Sequence, residues 1–287
     1  MILYFSFILV VFIYYMFYIA NKNTFQINTN LITPFPVQDG SPNSEPLRVL
    51  QLSDLHLEHI SISPEKLFQT LKKQRIDLIA ITGDFLDRPK SIPKLTSYLR
   101  ILQQLQPKYG TYAVLGNHDY KLKNMHLKEL KRVLKHYDIM LLQNENQQIY
   151  VNGVLIHLIG IDDHHSKKHN LKKSFEGITE KDIFRLVLTH DPNVVFQMKD
   201  FDFDYLLSGH FHGGQICWPK PYHLRKFGKL VKLNLIKGLI HYDGKVFYIN
   251  EGLGQTGINI RVGSRPEITI HDIYLPSSRE NVLEKVI

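Results

Sequence analysis

A single cysteine, Cys217, in 287 residues excludes an intramolecular disulfide and a thiolate metal cage. No internal repeat is visible, which argues against a stacked or propeller architecture. With 44% apolar residues the chain has ample material for one large packed domain. Formal charge is missing from residues 2–20, where Ile, Leu, Val, Phe, Tyr and Met predominate. That run nearly spans a bilayer core as a helix. Tyr14, Tyr15 and Tyr18 cluster at its distal end, as interfacial aromatics do, and Lys22 lies just beyond. A cleaved signal peptide is the competing reading. It is disfavoured because a basic stretch before the apolar run is also missing and Tyr18-Ile19-Ala20 is a poor small-x-small cleavage site. The expectation is a single-pass transmembrane anchor over residues 1–20, with Lys22 favouring a cytoplasmic location for the rest of the chain.

Acidic residues are absent from residues 220–237, which hold six Lys or Arg interleaved with Leu224, Phe227, Leu230, Val231, Leu233, Leu235 and Ile236. Such a basic, apolar stretch suits contact with an anionic lipid surface or an acyl chain, and equally a surface cap with solvated lysines. The whole chain carries a formal charge of +8, with a pI near 9.3. Phosphate esters, nucleic acid and anionic membranes are the partner classes this balance favours.

Residues 21–46 are rich in Asn, Pro and Ser and read as a linker, although residues 24–33 alternate well enough for an edge strand. A domain over residues 47–276 comes next, and residues 277–287 form a C-terminal tail. The apolar run at residues 47–52 reads as a buried strand. Pro64 opens a helix with Leu67 and Leu71 at i, i+4 spacing. A strand at 78–81, a helix at 92–104, a strand at 112–115 and a helix at 125–137 complete a β-α-β-α-β alternation, the pattern of a parallel sheet. Short strands are then expected at 139–142, 147–151, 154–161, 186–188, 205–207, 239–242, 246–249 and 268–273. Asn152-Gly153 and Asp243-Gly244 supply two-residue hairpin turns. Two mixed sheets packed face to face with helices outside, an α/β/β/α sandwich, is the expected fold.

Five acid, amide and imidazole clusters punctuate this string in fixed order: Asp54-Leu55-His56, Gly83-Asp84-Phe85-Leu86-Asp87, Gly116-Asn117-His118-Asp119, Thr189-His190 and Gly209-His210-Phe211-His212. Each stands after a strand-like apolar run, so ligands emerge at the carboxyl ends of the strands. Any one block is a weak signal and all five in register are a strong one. Together they offer oxygen and nitrogen donors for two adjacent divalent metals. Such a pair generates a hydroxide nucleophile and clamps phosphoryl oxygens during ester hydrolysis.

The order and spacing resemble the calcineurin-like metallophosphoesterase superfamily, from about residue 47 to about residue 273. The resemblance implies Asp84 as the carboxylate bridging two metals. Asp54, His56 and His212 would complete the first metal, and Asn117, His190 and His210 the second. Mixed N and O donors suit Mn, Fe, Co, Ni or Zn better than Mg or Ca. His118 would protonate or stabilise the leaving oxygen, and Asp87 would orient His118. Asp119 reads as a turn residue or a support, Arg88 as a candidate phosphate contact, and Asp162 to His165 as the start of a solvent loop.

Gly213-Gly214-Gln215, Gly252-Leu253-Gly254 and Arg265-Pro266-Glu267-Ile268 narrow the resemblance to a bacterial membrane-associated branch that includes a UDP-diacylglucosamine pyrophosphohydrolase. Glu251 departs from it, standing where a basic residue is expected. The implied activity is hydrolysis of a phosphodiester or pyrophosphate bond, on a lipid or nucleotide-sugar lipid. A nuclease or broad phosphatase would use the same metals, but the apolar anchor would hold a nuclease away from soluble nucleic acid. A scaffold that has lost its metals conflicts with a complete ligand set.

Overall fold

The computed structural model describes residues 2–35, 45–179, 183–218 and 220–275. Its twelve strands among the described residues form two six-stranded mixed sheets. In the first, β1 (Asn28–Ile32), β12 (Glu267–Ile273), β2 (Leu47–Leu52), β3 (Leu78–Thr82), β4 (Thr111–Val114) and β5 (Ile139–Leu141) lie in that order. The second runs β10 (Gly238–Tyr242), β11 (Lys245–Ile249), β9 (Tyr205–Ser208), β8 (Phe184–Leu188), β7 (Val154–Gly160) and β6 (Glu145–Val151). β2, β3, β4 and β5 are mutually parallel, as are β7, β8, β9 and β11. The carboxyl ends of the central strands of each sheet therefore share one edge.

The period-two alternation of apolar residues decides the layering. Leu47 and Val49 of β2 and Leu78 and Ala80 of β3 meet Leu186, Leu188, Tyr205, Leu207, Val246 and Tyr248 between the sheets. Their neighbours Leu50, Leu52, Ile79 and Ile81 face outward. They are covered by α2 (Pro64–Leu71), α3 (Ile92–Gln104) and α4 (Asn124–His136), through residues such as Leu67, Leu95, Leu99, Leu130 and Leu134. Ser63 caps α2 by accepting from the Lys66 backbone N–H at 3.2 Å, and Pro64 occupies its first turn. Helices thus flank the two sheets as expected, with one qualification. The outer face of the second sheet is covered only by short pieces: α5 (Leu171–Ser174), α6 (Lys229–Lys232) and 3-10 turns at Pro192–Gln197 and Tyr222–Lys226. Both predicted hairpin turns have their two central residues at positive φ, 50° and 87° for Asn152-Gly153 and 51° and 70° for Asp243-Gly244. This matches the twist of the strands they join.

The linker expectation for residues 21–46 needs correcting. β1 pairs in parallel with β12 from Asn28↔Glu267 to Ile32↔His271, so this stretch supplies an edge strand. Exposed Leu31 and half-buried neighbours alternate, which is why composition alone reads it as linker. Part of that segment, with the tail at 277–287, lies outside the described residues. α1 (Ile2–Lys22) is apolar on every face and exposed from Tyr4 to Tyr18. Among the described residues it is the one helix long and apolar enough to cross a membrane.

Candidate metal centre and cleft

Five strands end at one place. β2 delivers Asp54 and His56, β3 delivers Asp84 and Asp87, β4 delivers Asn117 and His118, β8 delivers His190, and β9 delivers His210 and His212. Asp54, His56, Asp84, Asn117, His190, His210 and His212 are all buried. His118 and Asp87 are partly open, with side chains 19% and 23% exposed. Asp54, His56, Asp84, His210 and His212 hold positive φ, an uncommon conformation outside glycine that tertiary contacts must sustain. The chain passes so closely that a Cβ at Gly116 would collide with the Asp84 carboxylate, and one at Gly209 with Ser53 and Asp54. Glycine at these two positions is therefore a steric requirement.

Among four overlapping groups of candidate donors in the described residues, two hold the expected ligands and are joined through His56 and Asp84, which meet in a third with His118. In the first, Asp54, His56 and His212 converge, with His212 Nε2 3.4 Å from Asp54 Oδ1 and His56 Nε2 3.4 Å from Asp84 Oδ2. The second comprises Asp84, His190 and His210. There His190 Nδ1 lies 2.7 Å from the Thr82 carbonyl, which only accepts, so Nδ1 holds a proton. Nε2 faces Asp84 Oδ2 at 3.1 Å, Asn117 Oδ1 at 3.2 Å and His210 Nδ1 at 3.1 Å. Lone pairs so crowded require a proton or a metal cation among them. Buried His56 Nε2, which faces Asp84 Oδ2, lacks a hydrogen-bond partner. These residues fit a pair of cations of the kind that prefers mixed imidazole and carboxylate donors. When bound, such a pair supplies Lewis acidity and an activated water.

The protonation balance is one of opposed pressures. Burial disfavours charge on His56 and His190, but neighbouring carboxylates outweigh it, holding His56 up at about 10 and His190 well above the ordinary range. Burial drives His210 and His212 well below that range, with nearby His190 and His56 adding to the effect. Burial would raise Asp84 and Asp87, yet the imidazoles beside them keep both below the ordinary carboxylate value.

Asp87 does more than was expected of it. Its Oδ1 accepts from His118 Nδ1 at 2.7 Å and also lies 2.9 Å from His56 Nδ1. One carboxylate thus orients a candidate acid and a candidate ligand, turning both Nε2 atoms away from itself. Glu58 holds the Asp87 loop by accepting from the backbone N–H groups of Asp87 and Arg88 at 2.9 and 2.8 Å. Asp119, read as a turn residue or support, is a buried clamp. It accepts from the backbone N–H groups of Gly116 at 2.9 Å, Asp84 at 3.0 Å, Phe85 at 2.9 Å and Leu86 at 3.3 Å.

A cleft of about 450 Å³ opens over these residues. Asp84, Asn117, His118, His210 and His212 are at its floor, and Lys121, Lys168, Leu224 and Phe227 contribute to its lining. Arg88 is exposed and does not line it. The solvent-loop expectation for Asp162 to His165 holds in part, since the segment is neither helix nor strand and His165 is exposed. Asp162 is buried and accepts from the Tyr120 hydroxyl at 2.5 Å, and Asp163 is buried and accepts from the Ser166 N–H at 2.6 Å. His165 stacks on Phe227 and tilts against His210, with ring centroids 5.9 and 5.2 Å apart, so it belongs to the cleft wall. Two basic residues hold the Glu251 loop. Lys237 Nζ lies 3.1 Å from Glu251 Oε1, and fully buried Arg261 donates to the carbonyls of Glu251 at 2.8 Å, Gly252 at 2.9 Å and Gly254 at 2.6 Å. Arg261 carries no motif around it, so only the folded loop reveals its role.

Residues 47–214 match the calcineurin-like phosphoesterase family. The chain belongs to that family. As a calcineurin-like phosphoesterase it is a phosphoric ester hydrolase of a class that typically binds divalent metals. It is 55% identical over 256 residues to an uncharacterized metallophosphoesterase, YkoQ, of Bacillus subtilis (strain 168), covering 89% of this chain and 94% of the relative. A second B. subtilis (strain 168) metallophosphoesterase, YkuE, is 26% identical over 228 residues, covering 78% of this chain and 77% of the relative. At 27% identity over 299 residues, covering 85% of this chain and 87% of the relative, it is similar to the UDP-2,3-diacylglucosamine pyrophosphatase LpxG of Chlamydia trachomatis serovar D (strain ATCC VR-885 / DSM 19411 / UW-3/Cx).

Proposed function

We propose that this calcineurin-like phosphoesterase is a two-metal enzyme, anchored in a membrane by α1, that hydrolyses the pyrophosphate or phosphodiester bond of a lipid-linked substrate. The observation that carries this is the cleft lining, where the donor cluster at the floor is accompanied by lysines and by apolar rings and side chains. Lys121 and Lys168 suit an additional phosphate, while Leu224, Phe227 and Phe211 suit an apolar portion of the same molecule. A small soluble monoester offers neither a second phosphate nor an apolar chain. The named activity of the LpxG relative supports the same substrate class.

Asp54, His56, Asp84 and His212 would hold one cation and Asp84, Asn117, His190 and His210 the other, with manganese, iron, cobalt, nickel and zinc all suited to the donors. His118, at the cleft and oriented by Asp87, gives its proton to the leaving oxygen. Lys121 Nζ, 3.0 Å from His118 Nε2, stands where it can meet the same oxygen. Lys22, at the end of α1, favours the catalytic domain on the cytoplasmic side.

The test is a substrate panel assayed with each metal in turn: p-nitrophenyl phosphate, bis-p-nitrophenyl phosphate, a nucleoside diphosphate sugar, and a diacylated form of that sugar nucleotide in mixed micelles. The diacylated pyrophosphate should be preferred in kcat/KM by at least about 10²-fold over the unacylated compound, as burial of acyl methylenes allows. Equal rates on both would contradict a lipid substrate, and preference for p-nitrophenyl phosphate would point to a monoesterase.

A further inference from the structure

The foot of α1 is bound into the catalytic domain. The Ala20 carbonyl accepts from the Arg261 N–H at 2.9 Å, Asn23 Nδ2 donates to the Arg261 carbonyl at 3.0 Å, and Asn21 Nδ2 donates to the Asn259 carbonyl at 2.7 Å. Thr24 is buried, and its hydroxyl reaches Ser61 Oγ at 2.7 Å. These bonds leave no slack between helix and domain, so a membrane crossed by α1 meets a fixed side of the protein.

That side has a distinct chemistry. Next to Arg261, Val262 bridges to Ile216, and its carbonyl accepts from the Cys217 N–H at 2.7 Å. The next residue is Trp218, the single tryptophan of the chain, which is 76% exposed. Phe25 and Ile258 are also exposed beside the helix foot. A groove of about 890 Å³ begins here, lined by Cys217, Gly263, Lys220, Arg225, Lys232 and Lys237 among others. Lys237 is engaged with Glu251, and residues 220–237 contain no acid of their own. Leu224, Leu230 and Ile236 of this segment are buried against the second sheet, which fixes the cations at its surface. Leu224 and Phe227 also line the catalytic cleft, so neighbouring residues of this segment face the cleft and the groove.

We propose that the Trp218 and Lys220–Lys232 face is a second membrane contact, resting on anionic phospholipid headgroups of the leaflet from which α1 emerges. It rests on the anchor reading of α1. An exposed tryptophan beside a cluster of lysines and arginine is the pairing that sits at a membrane interface, the ring at headgroup depth and the cations on lipid phosphate. Continuity with the helix foot selects the bilayer as occupant. The contact places the cleft beside the membrane surface, where a lipid-linked pyrophosphate is presented without leaving the bilayer.

Trp218 is itself the probe. The full chain is reconstituted into nanodiscs of phosphatidylcholine with and without phosphatidylglycerol, each carrying a nitroxide lipid labelled near the headgroup, and tryptophan emission is recorded. The expected result is blue-shifted emission and quenching about twofold stronger with phosphatidylglycerol, the excess disappearing at high salt as screening predicts. In K220Q/R225Q/K226Q/K232Q, checked for an unchanged thermal midpoint, the anionic excess should vanish. W218F should show no tryptophan signal at all. Carbonate extraction of native membranes is run in parallel and reports α1 alone, release meaning that the anchor reading is wrong. Membrane-integral protein whose Trp218 emission stays water-like and indifferent to phosphatidylglycerol would overturn the second contact while leaving the anchor intact.

Discussion

Asp84 Oδ1 accepts a hydrogen bond from the His118 backbone N–H at 2.8 Å. This commits one carboxylate oxygen and leaves Oδ2, 3.4 Å from His56 Nε2 and 3.1 Å from His190 Nε2, as the oxygen facing both donor groups. Asp84→Asn keeps an acceptor for His118 but would supply no negative charge to the cations proposed on either side of it. Bound metal should fall to one equivalent or less, and kcat/KM by about 10³-fold or more. Atomic emission on purified protein measures the first and steady-state kinetics the second. Two metals with full activity would remove Asp84 from the bridging position.

His118 should separate metal binding from chemistry. His118→Ala is expected to keep wild-type metal content while turnover slows by about 10²–10⁴ on esters with poor leaving groups. Nitrophenyl esters, whose leaving oxygen hardly needs a proton, should suffer much less. A uniform loss across leaving groups would argue against an acid.

Asp119 ties the β3 and β4 loops together through four backbone N–H groups. Asp119→Ala leaves these donors without their acceptor inside the protein. Urea unfolding should show a loss of roughly 3 kcal/mol or more, from four lost backbone hydrogen bonds and the donors left unsatisfied. A loss under about 1 kcal/mol would mean that water or the loops themselves replace the clamp.

A pH dependence of folding should arise between the two sheets. His271 is buried between the sheets, where the Tyr205 hydroxyl donates to Nδ1 at 2.9 Å and Nε2–H donates to Gln51 Oε1 at 3.0 Å. Burial pushes its pKa down to about 3 from 6.5. The unfolded chain therefore takes up a proton that the folded chain refuses, and stability is complete above about 6.5 and is lost as pH falls toward 3. With chelator present throughout, wild type should lose up to about 1.4 kcal/mol more per pH unit than His271→Gln between roughly pH 6 and pH 4. Parallel slopes would show that His271 is protonated in the fold.

The parts legible in the sequence were those with a period or a spacing. α3 begins at Ile92 and ends at Gln104, matching the expected residues 92–104, because its apolar stripe is unambiguous. The five clusters were readable because each sits where an apolar run stops. β1 was harder, since its pairing with β12 joins residues far apart in sequence and none of its five residues is fully buried. The contacts of Asp162 and His165 were not legible because their partners Tyr120, Phe227 and His210 come from other segments. Arg261 was invisible for the same reason: its acceptors are main-chain carbonyls, which leave no trace in side-chain spelling.

Metal stoichiometry coupled to activity tests the central claim most directly. The full chain in detergent is stripped with chelator, then titrated with manganese while bound metal and hydrolysis of bis-p-nitrophenyl phosphate are monitored on the same samples. Activity should be absent from the stripped protein and return as binding approaches two equivalents per chain, since the expected donors fall into one group of Asp54, His56 and His212 and another of Asp84, His190 and His210. Saturation at one equivalent with full activity, or turnover that survives the chelator, would contradict a two-metal centre.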